Sequence, residues 1–319
     1  MLICVIGAGW YGCITAQFFL DKGHKVIIYE QNEIFSGASF ANQNRLHLGF
    51  HYARNFATRN LCKQSFEWMK EHFGFAIKEM NYNYYCVSNQ SLLDANTYLD
   101  IFRNYTYDII KDPIIDVNES QIIINTKECY INHKLVKEYW SNKLHKHLIQ
   151  KQIFPDDIKK VLTSKFDFVF DCTNSSIYNI TNTKSELAIS FIYKNTSELN
   201  AAITVVDGNF CSLYPYDLDN HLYTLTSVLH TPIHMDTTID NELIESKRNN
   251  MEDEIMTYVP KYFSNFEYVS YFISKKVKPN YKDDRRTLVH TKYENFYQVC
   301  CCKISGIVEW LNVLQKEFN

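Results

Sequence analysis

Two histidines and an arginine fall within one short stretch of mixed character, Ser36-Gly37-Ala38-Ser39-Phe40-Ala41-Asn42-Gln43-Asn44-Arg45-Leu46-His47-Leu48-Gly49-Phe50-His51-Tyr52. Imidazole changes charge near neutral pH, so His47 or His51 can accept a proton from a hydroxyl or amine substrate. Packing of the loop is the other role open to each. The stretch has neither helical nor strand periodicity. Small, polar and aromatic residues alternate without order, as in loops that a rigid scaffold holds over a site.

The scaffold is legible just upstream. Leu2-Ile3-Cys4-Val5-Ile6-Gly7-Ala8-Gly9-Trp10-Tyr11-Gly12, with Lys25-Val26-Ile27-Ile28-Tyr29-Glu30 after it, reads as strand, glycine turn, helix and strand. Gly7 permits the tight turn, Gly9 admits a pyrophosphate to the backbone, and Gly12 lets the helix approach the strand. The helix N-terminus offers amides and a positive dipole end to the phosphates. Glu30 stands where a carboxylate accepts both ribose hydroxyls and repels a 2′-phosphate, which favours FAD or NAD over NADP. A βαβ unit without a ligand is the alternative.

Composition narrows the setting. The chain has 319 residues, enough for two lobes with cores of their own. With 33 basic and 36 acidic residues the net charge is −3, so no nucleic-acid or membrane-surface partner is expected. No apolar run is long enough to span a bilayer, and no signal peptide is evident. A cytoplasmic protein acting on a small molecule is the expectation, and the sequence leaves the oligomeric state open. The 10 cysteines show no CxxC spacing, so reduced thiols and no metal centre are expected.

Along the chain, helices are expected over 12–22, 57–73, 92–104, 133–148 and 239–258, with a last helix whose N-cap is Ser305. A strand is expected over 78–88, strand-like character over 109–125, and a buried strand over 166–171 that ends in Cys172-Thr173-Asn174. Alternation over 187–193, 201–206, 210–216, 221–229 and 263–277 predicts an antiparallel sheet. Tyr214, Tyr216, Tyr223 and His230 are candidates for its cavity face. His145 and His147 are two apart and make no metal pair.

The glycine fingerprint, then Gly37-Ala38-Ser39, then Arg45-Leu46-His47-Leu48-Gly49-Phe50-His51-Tyr52, resembles the D-amino-acid-oxidase (DAO) superfamily of FAD-dependent oxidoreductases. Within it the chain is similar to the L-2-hydroxyglutarate oxidase and glycerol-3-phosphate dehydrogenase branches. It is most similar to an uncharacterised bacterial branch associated with surface-glycan gene clusters. The segments from Val206 to Pro215 and from Leu225 to Pro232 share that likeness.

The resemblance implies an α/β fold with a Rossmann-like FAD-binding domain of glutathione-reductase type and an antiparallel-sheet substrate domain. It implies FAD bound by Gly7, Gly9, Trp10, Tyr11, Gly12, Glu30, Gln31, Ala38, Ser39, Arg45, Leu46, His47, Thr173, Lys303, Ile304 and Ser305. His47, His51 and Arg286 are the implied catalytic candidates. Arg286 would pair with a substrate carboxylate, and a salt bridge to Asp283 or Asp284 is its alternative. Relatives carry glycine where Asn174 and Cys302 stand here, and Asn tolerates positive φ. The implied cofactor domain comprises 1–76, 130–184 and 282–319, and the substrate domain 77–129 and 185–281. The implied reaction is hydride transfer to flavin N5 from a C–H bond beside an amine or hydroxyl of a small amino or hydroxy acid or sugar derivative. An NAD-dependent dehydrogenase, a flavoprotein without net redox, like a UDP-sugar mutase, and a flavin-binding module without turnover are the alternatives.

Overall fold

The computed structural model describes residues 1–158, 162–280, 285–301 and 303–319. The boundary at 282 and residues Asp283, Asp284 and Cys302 lie outside the described residues. Three sheets organise the rest. Apolar Leu2–Ile6 forms a central strand because both of its faces are covered. It pairs in parallel with Lys25–Glu30 on one side and Phe168–Asp171 on the other. Leu148–Gln150 and Phe296–Cys300 extend that sheet in parallel, and Val289–Tyr293 adds an antiparallel edge. The order therefore diverges on either side of Leu2–Ile6, which opens a crevice at its carboxyl end. Helices Trp10–Asp21 and Ile307–Phe318 cover one face, tied by the Trp310 indole donating to Thr15 Oγ1 at 2.8 Å.

The second sheet has nine strands. Its longest pair, Thr183–Asn195 with Phe266–Pro279, is antiparallel, as are its other pairs save one. The exception is Ala201–Val206, which runs parallel to Tyr82–Ser88. Helix Asn241–Tyr258 packs Met251 and Ile255 against one face, in a core with Leu213, Tyr223 and Leu225. Tyr223 thus faces that core, where its hydroxyl donates to Asn200 Oδ1 at 3.2 Å.

A third sheet joins the other two. Ile77–Glu79 and Arg45–Leu46 flank Cys129–Ile131, both antiparallel to it. The strand expected over 78–88 is therefore two strands in two sheets. Asn81, whose carbonyl accepts from the Asn125 amide at 3.0 Å, marks the change. The run expected over 109–125 is likewise two strands, Tyr107–Ile110 and Ser120–Thr126, with Pro113 between them. Helix Ala95–Phe102 is shorter than expected, and His145–His147 is a 3-10 turn rather than helix. Among the described residues, no helix is long and apolar enough to cross a membrane.

Candidate active site

The glycine turn is built as its residue types require. Gly7 has φ +92°, and a Cβ there would lie 3.0 Å from the Cys172 carbonyl oxygen. At Gly12 a Cβ would meet the Gly7 carbonyl oxygen at 1.8 Å, so any side chain would break the turn. Gly9 precedes the helix without offering a capping side chain, and Ser39 Oγ accepts from the Trp10 amide at 3.0 Å. Glu30 is half-buried, and its carboxylate accepts from the Ala8 amide at 2.7 Å and the Asn32 amide at 3.0 Å. The Trp10 ring is buried edge-on to Phe35 and Phe73, so only its backbone faces the turn. Gln31 and Ala38 are exposed. Thr173 caps the buried Asp171 carboxylate through its amide and hydroxyl, at 3.0 and 2.6 Å. Asn174 has φ +55°, the left-handed conformation that a glycine would otherwise supply.

The last segment closes over the same turn. The Tyr11 hydroxyl donates to the Lys303 carbonyl at 2.7 Å, and a Cβ on Gly306 would lie 2.5 Å from that hydroxyl. Ile304–Gly306 is a 3-10 turn, and Gly306, not Ser305, precedes the final helix. Ser305 is buried, and its hydroxyl accepts from the Cys62 thiol.

The histidine loop runs from this turn to the second sheet. Ser39 touches the glycines at one end. Beyond it, Arg45–Leu46 becomes a two-residue strand, and Phe50–Tyr52 forms a 3-10 turn. Asn55 caps the following helix, Phe56–Phe73, by accepting from Thr58 N at 2.9 Å. Lys303 Nζ lies 5.0 Å from the Tyr52 ring centroid, so the final segment also borders the loop's far end.

A residue absent from the sequence reading holds this loop. Glu128 is fully buried. Its Oε1 accepts from the Leu48 and Gly49 amides at 2.7 and 3.1 Å, and its Oε2 accepts from the Tyr85 hydroxyl at 2.6 Å. His47 Nδ1 stands 3.5 Å from Oε2. The guanidinium of buried Arg45 donates to the Tyr85 hydroxyl at 3.4 Å and to Ser212 Oγ. It also stacks 3.8 Å from the Tyr214 ring centroid. A cation thus reaches the buried carboxylate through one phenol.

These contacts set the charges. Burial pushes the Glu128 carboxyl up, but His47, Arg45 and the Tyr85 hydrogen bond outweigh it and bring the group down to about 2. Burial lowers His47 to about 4, with Lys303 and Arg45 acting in the same sense and Glu128 against them. His51, 6.1 Å away ring to ring, is pulled well below its usual value by burial and by Lys303, His47, Arg45 and Lys276. Both histidines are therefore neutral at pH 7 beside an ionised Glu128.

Of the other candidates, Arg286 is half-buried. Its amide donates to Thr58 Oγ1 at 3.0 Å and its guanidinium to the Arg285 carbonyl at 3.4 Å. The chief charges acting on His47 and His51 come instead from Glu128, Lys303, Arg45 and Lys276. Tyr214 is buried under Arg45, and Tyr216 packs on the His133 ring at 4.7 Å. His230 is half-buried at the end of the second sheet.

The chain is similar to proteins already known. Residues 3–91 match the family described as "DAO: FAD dependent oxidoreductase". The FAD-dependent monooxygenase FPY4 of Fusarium mangiferae is 30% identical over 327 aligned residues, covering 95% of this chain and 87% of that protein. The glycine oxidase of Bacillus cereus superposes with a TM-score of 0.71 at 15% identity, over 99% of this chain and 95% of that one. The L-proline dehydrogenase of P. horikoshii gives 0.69 at 14%, over 96% and 88%.

Proposed function

The chain belongs to the DAO family of FAD-dependent oxidoreductases, and from that premise we propose that it oxidises a C–H bond beside an amine or hydroxyl of a small amino or hydroxy acid or a sugar derivative. FAD, when bound, supplies a two-electron acceptor that takes the hydride at flavin N5. The glycine turn at Gly7, Gly9 and Gly12 would hold the diphosphate at the helix start, beside the Ser39 hydroxyl that accepts from the Trp10 amide. His47 takes the proton from the substrate nitrogen or oxygen, so the substrate loses one hydride and one proton and its C–N or C–O bond becomes double. His51 shares that wall of the site, and Arg286 is read as an anchor for a substrate carboxylate.

What carries this reading is the continuity of one loop. It touches the glycine turn through Ser39 and ends with two neutral histidines beside the second sheet. We read the cofactor domain as 1–76, 130–184 and 282–319, and the substrate domain as 77–129 and 185–281. The strands of the six-stranded sheet all fall in the first set. The nine-stranded sheet falls in the second, save for the start of Thr183–Asn195.

The test is anaerobic bleaching of the FAD-loaded enzyme across a panel of amino acids, hydroxy acids and sugar derivatives. A bleaching compound is expected. His47→Ala should slow that reduction by about a hundredfold while FAD affinity holds, and equal rates would remove His47 from the chemistry. The Fusarium relative's name as a monooxygenase favours a second reading, oxygen insertion into the substrate. Isotopic oxygen from O2 in the product would select it.

A further inference from the structure

We infer that Glu128 is a positioning residue for His47, holding the imidazole with its proton on Nδ1 and its lone pair on Nε2. This rests on the reading of His47 as the proton acceptor.

The backbone sets the pair up. Arg45 pairs with Tyr130 and Leu46 with Cys129 in an antiparallel register, so the next rung opposes His47 to Glu128. The carboxylate cannot swing away. Oε1 is tied to the Leu48 and Gly49 amides and Oε2 to the Tyr85 hydroxyl. Its remaining open direction faces His47 Nδ1 at 3.5 Å, charge-pair range and slightly beyond a good hydrogen bond. His47 Nδ1 is itself buried and makes no hydrogen bond elsewhere among the described residues, so Glu128 is the acceptor it faces.

The surrounding charges make Glu128 the decisive partner. Lys303 approaches His47 from the turn before the last helix, Arg45 from the histidine loop's own strand, and His51 and Tyr52 from its 3-10 turn. Of the charges named, the two cations disfavour an imidazolium and only Glu128 favours it. An anionic acceptor at Nδ1 selects the tautomer that carries its proton there. When Nε2 takes the substrate proton, the resulting cation meets a carboxylate already in place, and Glu128 stays ionised throughout. Arg45, reaching Oε2 through Tyr85, lets that carboxylate sit in the interior. This is the orienting third group that an acid–base histidine requires.

Glu128→Gln keeps an oxygen for the two loop amides and removes the charge. Nitrogen NMR of histidine-labelled, FAD-loaded enzyme reads the tautomer without any substrate. The wild type should show His47 with its proton on Nδ1, and the variant should gain the Nε2–H form and titrate at lower pH. A wild-type His47 found as Nε2–H overturns the inference even if the variant fails to fold. With a bleaching substrate, Glu128→Gln should slow flavin reduction on the order of a hundredfold, with little change in substrate affinity. It should add nothing further in a His47→Ala background, and a full additional loss there overturns the inference. If no compound bleaches the flavin, the proposed reaction fails, while the tautomer still decides the role of Glu128.

Discussion

The glycine turn and the His47–Glu128 pair lie at the two ends of one loop, yet they are made in opposite ways. The turn is main chain. Its character comes from missing side chains within six consecutive residues, and local spacing suffices to specify it. The pair is side chain. It draws Arg45 and His47 from one segment, Tyr85 from the second, Glu128 from a turn, Ser212 from a distant strand and Lys303 from the end of the chain. A dinucleotide site can therefore be written locally. A buried proton site needs the tertiary fold before any of its members has a partner.

The contrast is breakable at four points. Gly12→Val should have the largest effect, because its side chain would collide with the Gly7 carbonyl rather than with a movable group. We expect insoluble protein, or soluble protein without flavin absorbance, and a yellow, stable variant would undo the main-chain half of the comparison. Arg45→Met should follow. It strips the cation from buried Glu128 and should cost about 3–5 kcal/mol in denaturant unfolding, most of it recovered by adding Glu128→Gln.

Third comes pH. Burial holds His133 at about 4, below the 6.5 of an unfolded histidine, and His47 lies at about 4 as well. Between those limits the unfolded chain binds protons that the native one refuses, so stability is full above pH 6.5 and is lost as pH falls toward 4. For His133 alone the loss is on the order of 3 kcal/mol, read as a falling melting temperature that is flatter in His133→Gln. Gly23→Ala should be the mildest. Its φ is +75° but nothing lies within 4 Å of the added Cβ, so strain alone of about 1 kcal/mol is expected, with FAD affinity unchanged.

The fold was legible where periodicity runs long. The opening βαβ unit, helix Phe56–Phe73 and the alternation through the second sheet lie close to where residue pattern puts them. Asn174 was legible too, because few residues other than glycine and Asn accept its backbone angle readily. Glu128 was not. It sits between Lys127 and Cys129 in what reads as a charged surface turn, and its burial follows from pairing between strands of two and three residues. Strands so short carry no alternation, which is also why Ile77–Glu79 merged with Tyr82–Ser88 in the reading by pattern. Ser305 has the side chain of a cap, but its hydroxyl is engaged by Cys62, and a 3-10 turn delays the helix by one residue.

The small three-stranded sheet has an evolutionary consequence. The polypeptide departs at Glu79 and returns at Cys129, and those two residues are paired neighbours. The segment between them begins and ends at a single doorway, so its length can change without displacing the strands that carry the glycine turn. Glu128 stands on the threshold itself, bound to the frame through the Leu48 and Gly49 amides and to the contents of the room through Tyr85.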